Sequence, residues 1–299
     1  MSSHVFGGRK VYILKFFIRL ALSIFCKEVH VKNKHLLDTK GPLFIIANHP
    51  NSFLDAIIIG AYYNRRVFFL ARGDVFEKKV YRFLLNSLNM IPVYRLREGK
   101  EFLHLNDYAI RKSIELIAKG ESVLIFIEGV CVNDHQLQPF KKGTARILEG
   151  LHQKNVFPAI HIAGIAYNNF RGIGKKINLI ISEFLFDQKI TSAQDRVAFN
   201  NRVCIVLAEN IIVPSQPTNI HKNFWYFLHK PYYNLIKNFV AKKTKDSVFF
   251  DSVLFSVLLF TYPVFLFIIS IILSLFNLSI LSILIILIAI PLLSKSSIS

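Results

Sequence analysis

Leu43-Phe44-Ile45-Ile46-Ala47-Asn48-His49-Pro50-Asn51-Ser52-Phe53-Leu54-Asp55 is the stretch on which the reading of this chain turns. Five consecutive apolar residues followed by a polar Asn-His-Pro-Asn-Ser run predict a short strand buried on both faces, then a turn into a helix. Residues 67–71, 91–94, 123–127, 160–166 and 177–182 are similar β-branched or aromatic runs, several of them bounded by Gly, Pro or Asn. Between them, residues 107–119 and 191–210 have helical length and period. The alternation predicts an α/β fold, a mixed sheet flanked by helices. In such open sheets ligands bind at the carboxyl ends of the strands, where His49 and Asp55 fall.

Composition narrows the class. The 299 residues hold 37 Lys+Arg against 19 Asp+Glu, are 53% hydrophobic, and include 13 Gly, 10 Pro and 3 Cys. Disorder needs lower hydrophobicity, a collagen-like chain far more Gly and Pro, and a disulfide scaffold more Cys. The sparse, odd cysteine count suits a reducing compartment.

Charge and grease are segregated. Residues 252–293 carry no formal charge over 42 positions, and Lys295 is the one basic residue beyond Asp251, so residues 1–251 hold 36 basic and 19 acidic groups, net +17. A bilayer core takes about 20 helical residues to cross. A C-terminal transmembrane hairpin is therefore expected, with residues 252–276 as first arm, 277–279 as turn and 280–293 as a second, shorter arm. One or two crossings, or a re-entrant hairpin, remain open. Lys237, Lys242, Lys243 and Lys245 flank the tail and, by the positive-inside bias, place the basic body in the cytoplasm. Trp225, Tyr226, Tyr232 and Tyr233, interleaved with Lys222 and Lys230, suit a headgroup layer.

At the other end, Tyr12, Lys15, Arg19, Ser23 and Lys27 recur every three or four residues, opposite Ile13, Phe16, Phe17, Leu20 and Ile24. That spacing predicts an N-terminal amphipathic helix at a membrane surface. The expected organisation is residues 1–40 as this helix and an entry segment, 41–212 as the α/β domain, 213–251 as a basic, aromatic membrane-proximal segment, and 252–299 as the anchor.

Phosphate-loop, dinucleotide, HExxH, CxxC and GxSxG patterns are absent from the sequence. No metal site is expected, since the scattered His lack ligand spacing. Other strand ends supply the chemistry instead. Arg72 follows one, Arg95 follows Met90-Ile91-Pro92-Val93-Tyr94, and Glu128-Gly129 follow Val123-Leu124-Ile125-Phe126-Ile127. Lys141-Lys142-Gly143 comes shortly after, and then the Gly-bearing strand His161-Ile162-Ala163-Gly164-Ile165-Ala166-Tyr167. A His with an Asp in reach has a definite use: the carboxylate fixes one ring nitrogen and leaves the other to take a proton from an alcohol.

This ordered set resembles the glycerolipid acyltransferase family, the PlsC-type enzymes that acylate glycerol phosphate and lysophosphatidic acid, over about residues 42–183. His49 and Asp55 match the family's first motif, Arg95 the end of the second, and Phe126, Glu128 and Gly129 the third. The stretch from Phe140 to Arg146 looks like its Phe-Lys-x-Gly segment, and Arg72 stands where many members carry a phosphate-binding Lys. There are departures. Five residues rather than four separate His49 from Asp55, Ile127 replaces a Pro, Val130-Cys131-Val132 replaces Thr-Arg-Ser, and Ile162 and Ala163 stand where a Pro is usual. If the extra residue lies in the turn at 50–52 the dyad survives, whereas a regular helix from His49 would splay the two side chains by about 120°.

The resemblance implies a membrane-bound acyltransferase, with His49 and Asp55 catalytic and with Arg72, Arg95, Glu128, Gly129, Lys141 and Lys142 binding the polar head. It implies no cofactor, acyl-CoA or acyl-carrier protein as donor, and glycerol 3-phosphate or a lysophospholipid as acceptor. A phospholipid membrane, in a bacterial setting the cell membrane, accounts for the positive charge without a nucleic acid. The competing reading is a non-catalytic, membrane-anchored lipid-binding protein of the same fold. Cys131, like Cys26 and Cys204, is read as a small core residue rather than a nucleophile.

Overall fold

A computed structural model of the chain describes residues 8–94, 105–215, 223–245, 247–276 and 278–295. In chain order the elements are α1 (Gly8–Phe25), β1 (Cys26–Lys32), β2 (Leu43–Ala47), α2 (Phe53–Tyr62), β3 (Val67–Arg72), α3 (Lys79–Ser87), β4 (Met90–Val93) and α4 (Leu105–Ala118). There follow β5 (Ser122–Phe126), α5 (Gly143–Gln153), β6 (Ala159–Tyr167), β7 (Lys175–Glu183), α6 (Ala193–Asn210), α7 (Phe224–Thr244), α8 (Phe250–Ser274) and α9 (Ile280–Ser294).

The strands form one mixed sheet in the order β1-β7-β6-β2-β5-β3-β4. β6, β2, β5, β3 and β4 run parallel, while β7 is antiparallel to β6 and parallel to β1. β2 lies at the middle with all five residues buried, which is why its sequence shows no alternation. Its side chains still divide by parity: Leu43, Ile45 and Ala47 join a core with α1, α2 and the start of α8, and Phe44 and Ile46 join another with α4, α5 and α6. Helices therefore cover both faces. Gly164 inside β6 has a packing reason, since a Cβ there would meet the Asn210 backbone oxygen at 2.5 Å, where the end of α6 crosses the strand.

Three features differ from the sequence reading. The sheet begins inside the segment assigned to entry and surface helix, because Cys26–Lys32 pairs along β7 as an edge strand. Its sequence, Cys-Lys-Glu-Val-His-Val-Lys, alternates in burial and charges its exposed side, which protects an edge but hides the strand from a search for apolar runs. Lys27 accordingly belongs to β1 and not to the helical stripe.

Second, Lys15 and Arg19 of the α1 polar stripe face the protein, while Ser23 is exposed and bonds the Leu20 carbonyl of its own helix. Lys15 Nζ donates to the Tyr63 and Arg65 carbonyls (2.6 Å each), Arg19 donates to the Ala61 and Tyr62 carbonyls (2.7 and 2.9 Å), and the Tyr12 hydroxyl donates to the Asn64 carbonyl (2.9 Å). The Ala61, Tyr62 and Tyr63 carbonyls are ones a helix leaves unpaired at its C-terminus, so two cations cap α2 where its dipole is negative. Ile13, Phe16, Phe17 and Leu20 are left exposed. The greasy face points outward.

Third, the boundary at residue 252 cuts a helix whose first turn is core. Phe250, Asp251, Ser252, Leu254 and Phe255 are buried, and the rings of Phe25 and Phe255 meet edge-on at 5.3 Å. Among the described residues α8 is the one helix long and apolar enough to cross a membrane, about 37 Å at 1.5 Å per residue. α7 packs along its first half: Tyr232 bonds Thr261 (2.7 Å), His229 bonds Tyr262 (3.0 Å), and the Tyr232 ring stacks on Phe265 at 4.5 Å. α9 runs back along α8 and packs against α7 and α1.

Candidate active site

β2, β3, β5 and β6 are parallel neighbours or next neighbours, so the residues following their carboxyl ends share one edge of the sheet. His49, Arg72, Glu128 and Tyr167 are brought together there. The turn after β2 departs from helix where it must. Ser52 has φ 54° and ψ −140°, a left-handed conformation that non-Gly residues seldom adopt, and α2 starts only at Phe53. The additional residue is thus taken up before the helix, and Asp55 sits in its first turn facing back to His49.

His49 Nδ1 and Asp55 Oδ2 are 2.9 Å apart. The same Oδ2 accepts from the Asn51 N–H (2.8 Å), and Oδ1 accepts from the Tyr167 hydroxyl (2.6 Å). Asp55 is completely buried, which three donors and the positive end of α2 make tolerable. An ionised carboxylate on Nδ1 selects the tautomer with the proton there and leaves Nε2 as the basic nitrogen. Among the described residues Nε2 has no hydrogen-bond partner, and the His49 side chain is 19% exposed, enough for a reactant to reach it. The Phe126 ring lies flat on the imidazole, centroids 3.8 Å apart and planes within 12°, and restricts its rotation.

Glu128 is 4% exposed and both its oxygens are engaged: Oε1 accepts from the His49 N–H and Oε2 from the Gln138 N–H, each at 3.3 Å. Burial pushes its carboxyl up to about 6, against the opposing pull of these two N–H groups. In this arrangement Glu128 ties the catalytic turn to the loop at 129–142. Gly129 has φ +62°, and a Cβ there would meet Lys141 Cγ at 2.9 Å, so the backbone must be bare for Lys141 to lie against it. Lys142 immediately precedes α5; both lysines are exposed. Arg72 ends β3, half-buried, paired with Asp74 and 5.7 Å from the Phe249 ring just before α8. Arg95 lies outside the described residues.

Cys131 Sγ accepts from the Ser52 N–H at 2.9 Å. Burial, with Asp55 and Glu128 nearby, pushes its thiol well up, so it remains protonated and supports the turn. Asn133 Nδ2 adds a bond to the Pro50 carbonyl (2.8 Å), and Asn48 bridges to both backbone groups of Ile165 (2.8 and 2.9 Å). The sequence reading gave no role to Tyr167 or to the ring of Phe126. The available signal was positional: each stands at the carboxyl end of a strand that neighbours β2.

Residues 28–167 match the family model described as acyltransferase, a span that begins in β1 and ends on Tyr167. A chloroplastic 1-acyl-sn-glycerol-3-phosphate acyltransferase of Brassica napus is 26% identical over 139 residues, 46% of this chain and 38% of that protein. The chain thus spans well under half the length of that relative. The crystal structure of the 1-acyl-sn-glycerophosphate acyltransferase PlsC from Thermotoga maritima shares the fold, with a TM-score of 0.50 and 18% identity over 67% of this chain and 79% of that one.

Proposed function

We propose that the chain, whose residues 28–167 match the acyltransferase family model, is a membrane-bound O-acyltransferase of glycerolipid synthesis. It moves a fatty acyl group from an acyl thioester to a hydroxyl of glycerol 3-phosphate or lysophosphatidic acid. The observation that carries this reading is the His49–Asp55 contact with Nε2 left available at the carboxyl edge of the sheet. Both relatives are named as acyltransferases of 1-acylglycerol phosphate, which makes that acceptor the first to test.

The chemistry follows from the dyad. His49 Nε2 takes the hydroxyl proton as the oxygen attacks the thioester carbonyl, and the imidazolium is stabilised by Asp55. The tetrahedral oxyanion collapses, the C–S bond breaks, and the proton returns from Nε2 to the departing thiolate. Thiolates leave readily, so no stronger acid is needed. The donor is acyl-CoA or acyl-carrier protein, and the mechanism calls on no cofactor. Arg72, Arg95, Lys141 and Lys142 supply cations for the acceptor phosphate, with guanidinium forks suited to its oxygens. Gly129 keeps the backbone bare beside Lys141, and Glu128 holds the turn that presents His49. The exposed face of α1 and the α8–α9 hairpin sit in the lipid, with the basic body on the cytoplasmic side, so that a lipid acceptor is met where it resides.

The test uses wild-type membranes with labelled acyl thioester and a panel of glycerol 3-phosphate and lysophospholipid acceptors. Transfer is expected in the wild type, and His49→Ala and Asp55→Asn are expected to lower it by about 10²–10⁴-fold with membrane association retained. No transfer to any acceptor would leave the alternative, a non-catalytic lipid-binding protein.

A further inference from the structure

The first turn of α8 carries more polar machinery than an anchor requires. Ser52, at the N-cap position of α2, makes no side-chain cap bond. The Leu54 N–H in that first turn donates instead to Ser252 Oγ on α8 at 3.0 Å, and Ser252 Oγ donates to the Asn51 carbonyl at 3.2 Å. The cap of the catalytic helix is therefore supplied from another helix. Asp251, one residue earlier, is 1% exposed. Its Oδ1 accepts from the Gly172 N–H (2.8 Å), and its Oδ2 accepts from Asn51 Nδ2 (2.9 Å) and pairs with the fully buried Lys175. Asn51 connects the two systems, since its own N–H is bonded to the Asp55 oxygen that holds His49. A continuous path of hydrogen bonds runs from α8 through Asn51 and Asp55 to the imidazole.

We propose that Asp251 and Ser252 are positioning residues for His49 and Asp55, so that the first turn of the membrane helix is part of the active-site scaffold. The proposal rests on the acyltransferase reading of the site. A buried ion pair and a buried serine in the opening turn of an otherwise apolar helix carry a desolvation cost that lipid anchoring does not call for. Their partners all lie on the catalytic turn, on the strand carrying Lys175, or on the loop before it. A small displacement of a general base weakens catalysis sharply, and α2 has no other side-chain cap to fix its first turn.

The experiment uses the full-length chain in detergent and in phospholipid vesicles. Ser252→Ala is expected to lower kcat about tenfold with KM within about twofold, the size of a lost cap expressed at the reacting atoms. Ser252→Thr, which keeps the oxygen, is expected to restore it. Ser256→Ala is the control, because Ser256 bonds only back along its own helix to the Ser252 carbonyl. Asp251→Asn with Lys175→Met removes both buried charges and keeps an acceptor for Asn51, so it is expected to fold and stay within about threefold in kcat. Asp251→Leu with Lys175→Met lacks that acceptor and is expected to lose about tenfold. A readout independent of turnover is the solvent exchange of the His49 Nδ1 proton by NMR, expected to quicken about tenfold in Ser252→Ala and to stay unchanged in Ser256→Ala. Unchanged exchange and kcat in Ser252→Ala overturn the proposal. So do equal losses in the Ser256→Ala control. A wild type that transfers nothing overturns the acyltransferase reading instead, and the exchange rates still decide whether α8 positions the imidazole.

Discussion

Asp55 accepts from His49, Asn51 and Tyr167 while buried from solvent, and each donor keeps its carboxylate in one orientation. Tyr167 provides the shortest of the three. Tyr167→Phe retains the ring and removes the donor to an ionised acceptor, and a charge-assisted bond of this kind is worth about 1.5–3 kcal/mol. Part of that is expected in the transition state: kcat falls about tenfold while KM changes little, measured with saturating acyl donor. Glu128 makes a second residue-level prediction. Its carboxyl is raised to about 6 by burial, so the folded state holds the proton more tightly than the unfolded chain does. That contribution is fully present below the unfolded pKa near 4.5 and is lost as pH rises through 6. Glu128→Gln carries no such dependence, so between pH 4.5 and 7.5 its stability is expected to gain about 1–2 kcal/mol relative to wild type, read from thermal midpoints at each pH. A pH-independent difference between the two proteins would refute this account of the carboxyl. His49, Asp55 and Glu128 were legible from the sequence because they follow apolar strands in a fixed order. Their bonding partners were not, since Asn51, Gln138 and Tyr167 carry no chemical signature until the chain folds them into reach.

α2 is the element on which the site depends, and both its ends are finished by other helices. Ser252 of α8 caps the start, and Lys15 and Arg19 of α1 cap the end. The sequence showed the polar stripe of α1, but an amphipathic period identifies two faces without saying which one meets the protein. In this fold the unpaired carbonyls of α2 decide it, because buried carbonyls need donors more than the apolar side needs cover when lipid is available. Arg19→Ala removes bonds to the Ala61 and Tyr62 carbonyls and to Asn64 Oδ1 and is expected to destabilise the solubilised protein by roughly 2 kcal/mol, with Arg19→Lys intermediate, by denaturant or thermal unfolding. If the stripe instead served only to meet headgroups, Arg19→Ala would weaken vesicle binding and leave stability in detergent unaltered. β1 makes the same point for strands. Its charged, alternating sequence is that of a sheet edge, and an edge is defined only by what lies beside it.

For the whole molecule, the apolar helices leave and rejoin one body. α8 departs from the catalytic turn, and α9 returns to pack against α7 and α1. α9, which makes the return, is about 22 Å long and short of a hydrocarbon core of about 30 Å. We therefore expect a re-entrant hairpin, which enters and leaves on the body's side. Leu278→Cys, in a chain whose Cys26, Cys131 and Cys204 are replaced by Ala, is expected to resist membrane-impermeant thiol reagents added to either face of sealed vesicles. Labelling from the face opposite the body would establish two complete crossings instead.

The α/β class, six of the seven strands, the apolar tail and the residues whose chemistry suits acyl transfer are readable from the sequence alone. Each of those is written in local periodicity, in runs of like polarity or in a reactive side chain at a strand end, and none needs a distant partner to be read. That β1 closes the sheet edge, that α1 turns its cations inward and that α8 starts against the catalytic turn emerge once the chain is folded. Those outcomes depend on which carbonyl, N–H or carboxylate 40 to 200 positions away comes within bonding distance, and a one-dimensional pattern carries no term for that.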